Sequence, residues 1–536
     1  MTLAAAIAAG AAGTAHAATC EQLLGLHLPD TVIHTAQSIP AGAYQPPGST
    51  VAYSNLPAFC RVTATVSPVS GSAIGIEIWL PTATWNHRYQ QSGNHGLGGT
   101  FYWGEMVGQL QRGYATAITD DGHTASQGAY DTAFAFGSPQ RVTDFAWRAV
   151  HQLAEKAKWV IAAFYGQPQR HAYFNGCSDG GREAMKSAQR FPRDFDGIIA
   201  GSAVADYTGN ATKQLVTTLD WAKAGIVGAS GASLLTRVQA AEMAQCDARD
   251  GLTDGQIRDP RACHWQPASL SCKAGQNAAG CLTPQQAQAV EANESALRDP
   301  RTGQWLMAAM TPGSEHDENR FGFTNGPAGF GVANYRIGLG DPNWDGSNFD
   351  LARDFPILER NFGDEVNAVD PDLTAFQRAG GKLIQWHGWD DVVAQPGYTV
   401  KYYDEVVDAS SQGDLRATQD FYRLFMLPGI GHCGTGIGPD NIGQENYTAV
   451  SPDPEHDVVS ALEAWVERGV KPAELIATKF VNGDPAQGVQ QQRPICPYPA
   501  EAIYNGAGDP NAASSFHCGV PPHHAEADAP ASGPRQ

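Results

Sequence analysis

The sequence predicts an α/β protein with a mostly parallel sheet, helices on both faces and one large insert. Three observations carry that reading. Short apolar runs closed by Gly, Asp or Pro recur along the chain, a helix-period segment separates two of them, and the rhythm stops between about residues 207 and 365 before resuming at Lys382. Strands alternating with helices imply parallel pairing, because a parallel neighbour is reached only by a long crossover, normally a helix.

Taken in order, residues 1–17 are short, apolar and small and end in Ala15-His16-Ala17, the pattern of a secretory signal peptide cleaved after Ala17. AIGIEIWL (73–80) alternates as a half-buried strand. YATAIT (114–119), HAYFNG (171–176), DGIIAG (196–201), KLIQWHG (382–388) and YRLFML (422–427) are short apolar runs closed by Gly, Asp or Pro. Between the second and third strands, Phe145, Trp147, Val150, Leu153, Ala157, Val160, Ile161 and Phe164 recur at helical spacing. The division expected is 18–206 and 366–518 as two parts of one sheet domain, 207–365 as an inserted lid domain, and 519–536 as a disordered tail.

Composition excludes several functions. The 536 residues carry a net charge of −20 and no basic run, so there is no cationic footprint for nucleic acid or an anionic membrane. No segment beyond the leader reaches the ~18 apolar residues of a membrane span. The mature protein is therefore expected to be soluble and exported, secreted or periplasmic. In such a compartment ten cysteines form a disulfide set. Spacing suggests Cys20 with Cys60, Cys246 with Cys263, Cys272 with Cys281 and Cys496 with Cys518, which leaves Cys177 and Cys433.

Gly176-Cys177-Ser178-Asp179-Gly180 matches G-x-S-x-G between an apolar run and a helix-forming run. That is the context of a nucleophile elbow, in which small neighbours allow the serine a strained backbone angle. In the α/β-hydrolase fold an acid and then a histidine follow, each beyond a later strand. KLIQWHG runs into Trp389-Asp390-Asp391, and YRLFML runs into Pro428-Gly429-Ile430-Gly431-His432-Cys433. His432 is thus the expected general base for Ser178. A Cys177–Cys433 bridge would tie the two loops together across 255 residues. One oxyanion donor is expected from the Asp179 amide and another from the loop Gly93-Asn94-His95-Gly96-Leu97-Gly98-Gly99.

In the paired Cys177-Ser178 and His432-Cys433, in GCSDGGREA (176–184), GGKLIQWHGWDD (380–391) and WNHRYQQSGNHGLGG (85–99), the chain closely resembles the tannase and feruloyl esterase family. This group of secreted serine esterases includes the mono(2-hydroxyethyl) terephthalate hydrolases. The resemblance spans nearly the whole mature chain and implies an α/β-hydrolase fold with a lid. It makes Asp391 the acid, with Asp390 as the alternative. Because relatives usually have glycine where His95 stands, it makes Gly96 the second oxyanion donor.

CDARDGLTDGQ (246–256) crowds three carboxylates and two glycines into a tight turn that suits Ca²⁺, without the twelfth-position Glu of an EF-hand. The resemblance implies a structural Ca²⁺ bound by Asp247, Asp250, Asp254 and the carbonyls of Leu252 and Gln256. Trp344 and Phe349 either sandwich an aromatic acyl group or pack the lid core. His387 either lines the substrate pocket or packs under the acid loop. Arg336 is a candidate for reading a carboxylate on the substrate. The expected activity is hydrolysis of small aromatic-acid esters, feruloyl first, then galloyl or terephthalate. A non-catalytic binding module and a peptidase on the same scaffold are the rival readings.

Overall fold

The computed structural model describes residues 17–276, 280–317, 323–325 and 329–521. The leader reading, apart from Ala17, and nearly all of the tail reading lie outside the described residues.

Nine strands build the central sheet: β1 Thr31–Ile39, β2 Phe59–Val66, β3 Ile74–Pro81, β4 Arg88–Ser92, β5 Ala115–Thr119, β6 His171–Cys177, β7 Gly197–Gly201, β8 Lys382–Gly388 and β9 Tyr422–Leu427. Their spatial order is β1-β2-β3-β5-β4-β6-β7-β8-β9. The first three form an antiparallel meander joined antiparallel to β5, and from β5 to β9 every pairing is parallel. The mostly parallel sheet of the sequence reading is therefore present, with an antiparallel edge that the reading missed.

Strands β5 and β7 are buried at every position, as parallel strands covered on both faces must be. The alternation in AIGIEIWL does not mean half-burial, however. Only Gly75 of β3 is partly exposed, because Glu77 is buried and takes a two-point ion pair from Arg61 at 2.6 and 2.9 Å. Satisfying a buried charge in this way removes the penalty that would otherwise turn the residue outward.

Adjacent residues of β6 point to opposite faces, and each joins its own core. Phe174 packs with Leu153, Ile161 and Met185 from helices α1 (Ala149–Tyr165) and α2 (Asp179–Arg190). Tyr173 packs with Ile384, Trp386, Leu462 and Trp465, the last two from the helix Val458–Arg468. The helix expected from Phe145 onward is α1, entered through a π-helical turn at Asp144–Arg148.

Between β7 and β8 no described residue adds a strand to the central sheet. Helices α3 (Tyr207–Lys223) and α4 (Gly228–Cys246) open this stretch, and α5 (Gly329–Leu339) lies against α3. Tyr207, Leu215, Phe330 and Tyr335 share one core with Leu97 and Phe145, which come from the sheet side. All five disulfides pair as the spacing suggests. No described helix is long and apolar enough to cross a membrane.

Candidate active site

Ser178 sits where β6 ends and α2 begins, at φ 64° and ψ −120°. Such a backbone costs on the order of 1–3 kcal/mol and persists only when its surroundings hold it. They do so here: the Ser178 N–H donates to Gly201 O at 3.1 Å, and its carbonyl accepts from Arg182 and Val204. The flanking glycines are required by close approach, since a Cβ on Gly180 would stand 3.0 Å from the Gly93 Cα.

The loops after β8 and β9 cross just beyond the same end of the sheet. A Cβ on Gly388 would lie 2.1 Å from Ile430 O, so only glycine lets the β9 loop pass over the end of β8. Asp390 N–H then donates to Ile430 O at 2.9 Å, locking the two loops together. The crossing brings three separated residues into line. His432 Nε2 is 2.8 Å from Ser178 Oγ, and His432 Nδ1 is 2.8 Å from Asp391 Oδ2. The other carboxylate oxygen, Oδ1, accepts the Val393 and Ala394 N–H groups, each at 2.8 Å. A carboxylate can only accept, so Nδ1 carries the ring proton and Nε2 is free to accept from the serine hydroxyl.

Asp391 is fully buried. Burial alone would raise its carboxyl, yet the charge of His432 and hydrogen bonds from His387 and His432 outweigh it and hold the group well below the ordinary carboxylate range. The elbow and the β9 loop are also bonded covalently: Cys177 and Cys433 form a disulfide with Cα atoms 5.8 Å apart.

Beside Ser178 lies a cleft of about 260 Å³ whose walls include Tyr130, Val204, Tyr207, Phe330, Val393 and His95. Among the described residues, the amides of Asp179, Gly96 and its neighbour His95 meet no protein acceptor. Tyr207 Oη donates to Gly96 O at 2.5 Å and so fixes the peptide on the far side of Gly96. This arrangement places a hydroxyl, an imidazole able to take its proton and amides with no protein acceptor at one end of a largely apolar cleft.

A profile of the tannase and feruloyl esterase family matches residues 60–519. The chain belongs to this family. It is 37% identical to an esterase of Xanthomonas campestris pv. campestris, over 96% of this chain and 94% of that one. It is 32% identical to the probable feruloyl esterase B-1 of Neosartorya fischeri, over 92% and 94% of the two chains. The crystal structure of feruloyl esterase B from Aspergillus oryzae superimposes with a TM-score of 0.84 at 29% identity, covering 93% of this chain and 99% of that one. Membership makes the protein an α/β-hydrolase and a carboxylic ester hydrolase.

Three pocket expectations need correction in this member of the tannase and feruloyl esterase family. His387 is fully buried and does not line the cleft. Its Nε2 faces Asp391 Oδ2 at 3.1 Å and Ala394 O at 3.0 Å, while Nδ1 meets Thr399 Oγ1 at 2.7 Å, so it props the acid loop from behind. Trp344 is buried against Tyr335, with ring centroids 5.3 Å apart and Phe349 edge-on to both, and it too is absent from the cleft wall. Arg336 donates to Trp344 O at 2.8 Å rather than facing the cleft. The aromatic walls come from Tyr130, Tyr207 and Phe330 instead. These residues lie far apart in the chain, and no local pattern marks them.

The acidic turn follows α4. Asp247 accepts the N–H groups of Asp254 and Gly255, Asp250 accepts that of Leu252, and Asp254 accepts that of Gln256 and also pairs with Arg493 at 2.9 Å. Burial and then the nearby Asp254 charge raise Asp250 to about 6, although its hydrogen bond from Leu252 and the Arg258 and Arg493 charges oppose this. The carbonyls of Leu252 and Gln256 accept no hydrogen bond among the described residues. The donor types, carboxylate and carbonyl oxygens, are those a hard divalent cation takes, but the Asp247, Asp250 and Asp254 carboxylates do not form a group within 4.8 Å of one another in this structure.

Proposed function

We propose that Ser178, His432 and Asp391 are the catalytic triad of this esterase, acting on esters of aromatic acids. The continuous hydrogen-bond chain from Ser178 Oγ through His432 to Asp391 carries the proposal. Ser178 attacks the ester carbonyl while His432 Nε2 takes its proton. The Asp179 and Gly96 amides receive the developing oxyanion, and Asp391 stabilises the imidazolium. His432 then protonates the leaving alcohol, and water repeats the sequence on the acyl-enzyme.

Feruloyl esters are the first substrate choice, then galloyl esters and terephthalate monoesters. The relatives' names support an aromatic acyl group, as do the Tyr130, Tyr207 and Phe330 walls. No Lys or Arg lines the cleft among the described residues, and the His95 imidazolium on its wall is already paired with Glu105 at 3.4 Å, which favours a phenolic acyl group over one with a second carboxylate. The insert of residues 207–365 acts as the lid, since Tyr207 and Phe330 reach from it into the cleft. A structural Ca²⁺ in the Asp247–Gln256 turn steadies it. Five disulfides support export to an oxidising compartment, and with it a cleaved leader.

Hydrolysis of methyl ferulate, methyl gallate and a terephthalate monoester, compared with a short aliphatic ester and a peptide, tests the reading. Methyl ferulate should give the highest kcat/KM. Turnover confined to the aliphatic ester or the peptide would contradict it.

A further inference from the structure

Directly behind the elbow, three carboxylates that the triad does not use meet in a space closed to solvent. Asp121 follows β5, Asp179 and Glu183 stand one turn apart on α2, and oxygens from all three fall within 4.8 Å of one another. Their exposures are 0, 1 and 2%. Arg182 is already committed: it pairs with Asp179 Oδ1, and its other N–H groups go to the carbonyls of Ala146 and Phe145. Asp179 Oδ2, Glu183 Oε1 and both oxygens of Asp121 therefore have no donor. Asp121 and Glu183 nevertheless stand beside each other, with an oxygen of each within 4.8 Å of the other. Two buried carboxylates that close cannot both stay ionised, whereas a single proton turns their repulsion into an O–H···O bond.

The same two carboxyls touch the loop that carries Gly96. Glu183 Oε2 accepts the Asn94 N–H at 3.0 Å, Asn94 O accepts from Gly180 N–H at 2.7 Å, and Asn94 Nδ2 donates to Thr119 O at 3.0 Å. At the other end, a Cβ on Gly98 would stand 2.3 Å from Asp121 Oδ2, so the loop lies directly on that carboxyl.

We propose that Asp121 and Glu183 share one proton and that this protonated pair positions the Gly93–Gly98 loop, with its oxyanion donor, against the nucleophile elbow. Both are positioning residues. The consequence for rate rests on the esterase reading, whereas the consequence for stability does not. Burial, and then the charge of Glu183 on Asp121 and of Asp179 on Glu183, raises both carboxyls, with Arg182 opposing. The other groups facing the pair are Asp120 on its own loop, Tyr102 and Tyr207 across the cleft side, and His95 beyond Asp179. The native state thus keeps a proton that an unfolded chain releases in the ordinary carboxylate range. Stability must fall as pH rises from that range through the native value, and be flat above it.

Glu183→Gln separates proton sharing from mere packing, because the amide oxygen can accept from Asn94 while its NH₂ donates to Asp121 without any proton. The melting temperature of the wild type should drop relative to Glu183→Gln between about pH 5 and about pH 8, the gap changing by about 4 °C. Asp121→Asn should show the same trend and carries the test if Glu183→Gln does not fold. Glu183→Ala should lower kcat at least about tenfold with KM within about twofold, and Glu183→Gln should restore most of that loss. A gap independent of pH in both amide variants overturns the shared proton. A metal equivalent found by elemental analysis and lost in Glu183→Gln overturns it in favour of a bound cation. Running the melting comparison in the Ser178→Ala background keeps it independent of the esterase reading.

Discussion

Asp391→Asn tests the assignment of the acid with almost no change of shape. The two loop amides decide how the new side chain sits: Val393 and Ala394 both donate to Oδ1, so the carboxamide oxygen must stay there. Its NH₂ then occupies the Oδ2 position, facing His432 Nδ1, now 2.8 Å from Oδ2, and His387 Nε2 at 3.1 Å. Two donors cannot face each other, so the His432 proton moves to Nε2 and the ring can no longer accept from Ser178. A wrong imidazole tautomer costs roughly 10⁴-fold in kcat, or about 5.5 kcal/mol of transition-state stabilisation. The assay is kcat/KM on a chromogenic aryl ester, with Asp390→Asn as the control, since the Asp390 backbone and not a triad hydrogen bond locks the loop. Activity within about tenfold of wild type for Asp391→Asn would refute the tautomer argument. Asp390→Asn as the crippling change would move the acid to Asp390.

Replacing Cys177 and Cys433 together by Ala should cut kcat/KM at least about tenfold while far-UV circular dichroism stays unchanged, because the bridge ties the serine loop to the histidine loop. Its loop of 256 residues also predicts a stability loss of up to about 5 kcal/mol. His95 gives a pH signature of the opposite sign to Asp391: burial lowers its pKa, but the Glu105 hydrogen bond and the Glu445 and Glu105 charges raise it to about 9. Its stabilisation is therefore complete below the ordinary value of 6.5 and lost as pH rises to about 9, so the melting deficit of His95→Gln should be largest in acid and vanish by about that pH. Chelation, or Asp250→Ala, should lower the melting temperature if the acidic turn holds Ca²⁺. Unchanged melting with no metal by elemental analysis would remove the ion from the account.

The strands KLIQWHG and YRLFML coincide with β8 and β9 residue for residue, because a strand buried on both faces is mostly apolar and so declares itself locally. RYQQS of β4 does not declare itself. Its Gln91 is buried because Val150 O accepts from its amide while Tyr89 Oη, two residues earlier on the same face, donates to it, and Val150 lies elsewhere in the chain. The same contrast runs through the site. Ser178 was legible because a strained elbow demands glycine at fixed positions, and His432 because it follows a strand and abuts a cysteine. The side on which His387 and Trp344 fall is decided by tertiary packing, which spacing does not encode. Asp121 and Glu183 read locally as a polar loop and an ordinary helix carboxylate; only the fold shows that they meet.

The central claim is that Ser178 is the nucleophile of an aromatic-ester hydrolase, and Ser178→Ala measures it most directly. The variant should fold with wild-type circular dichroism and resist labelling by a fluorophosphonate probe. It should also lose hydrolysis of methyl ferulate by several orders of magnitude, since removing one triad member removes most of the benefit of all three. A folded Ser178→Ala protein that still turns over methyl ferulate at a rate near wild type would contradict the account.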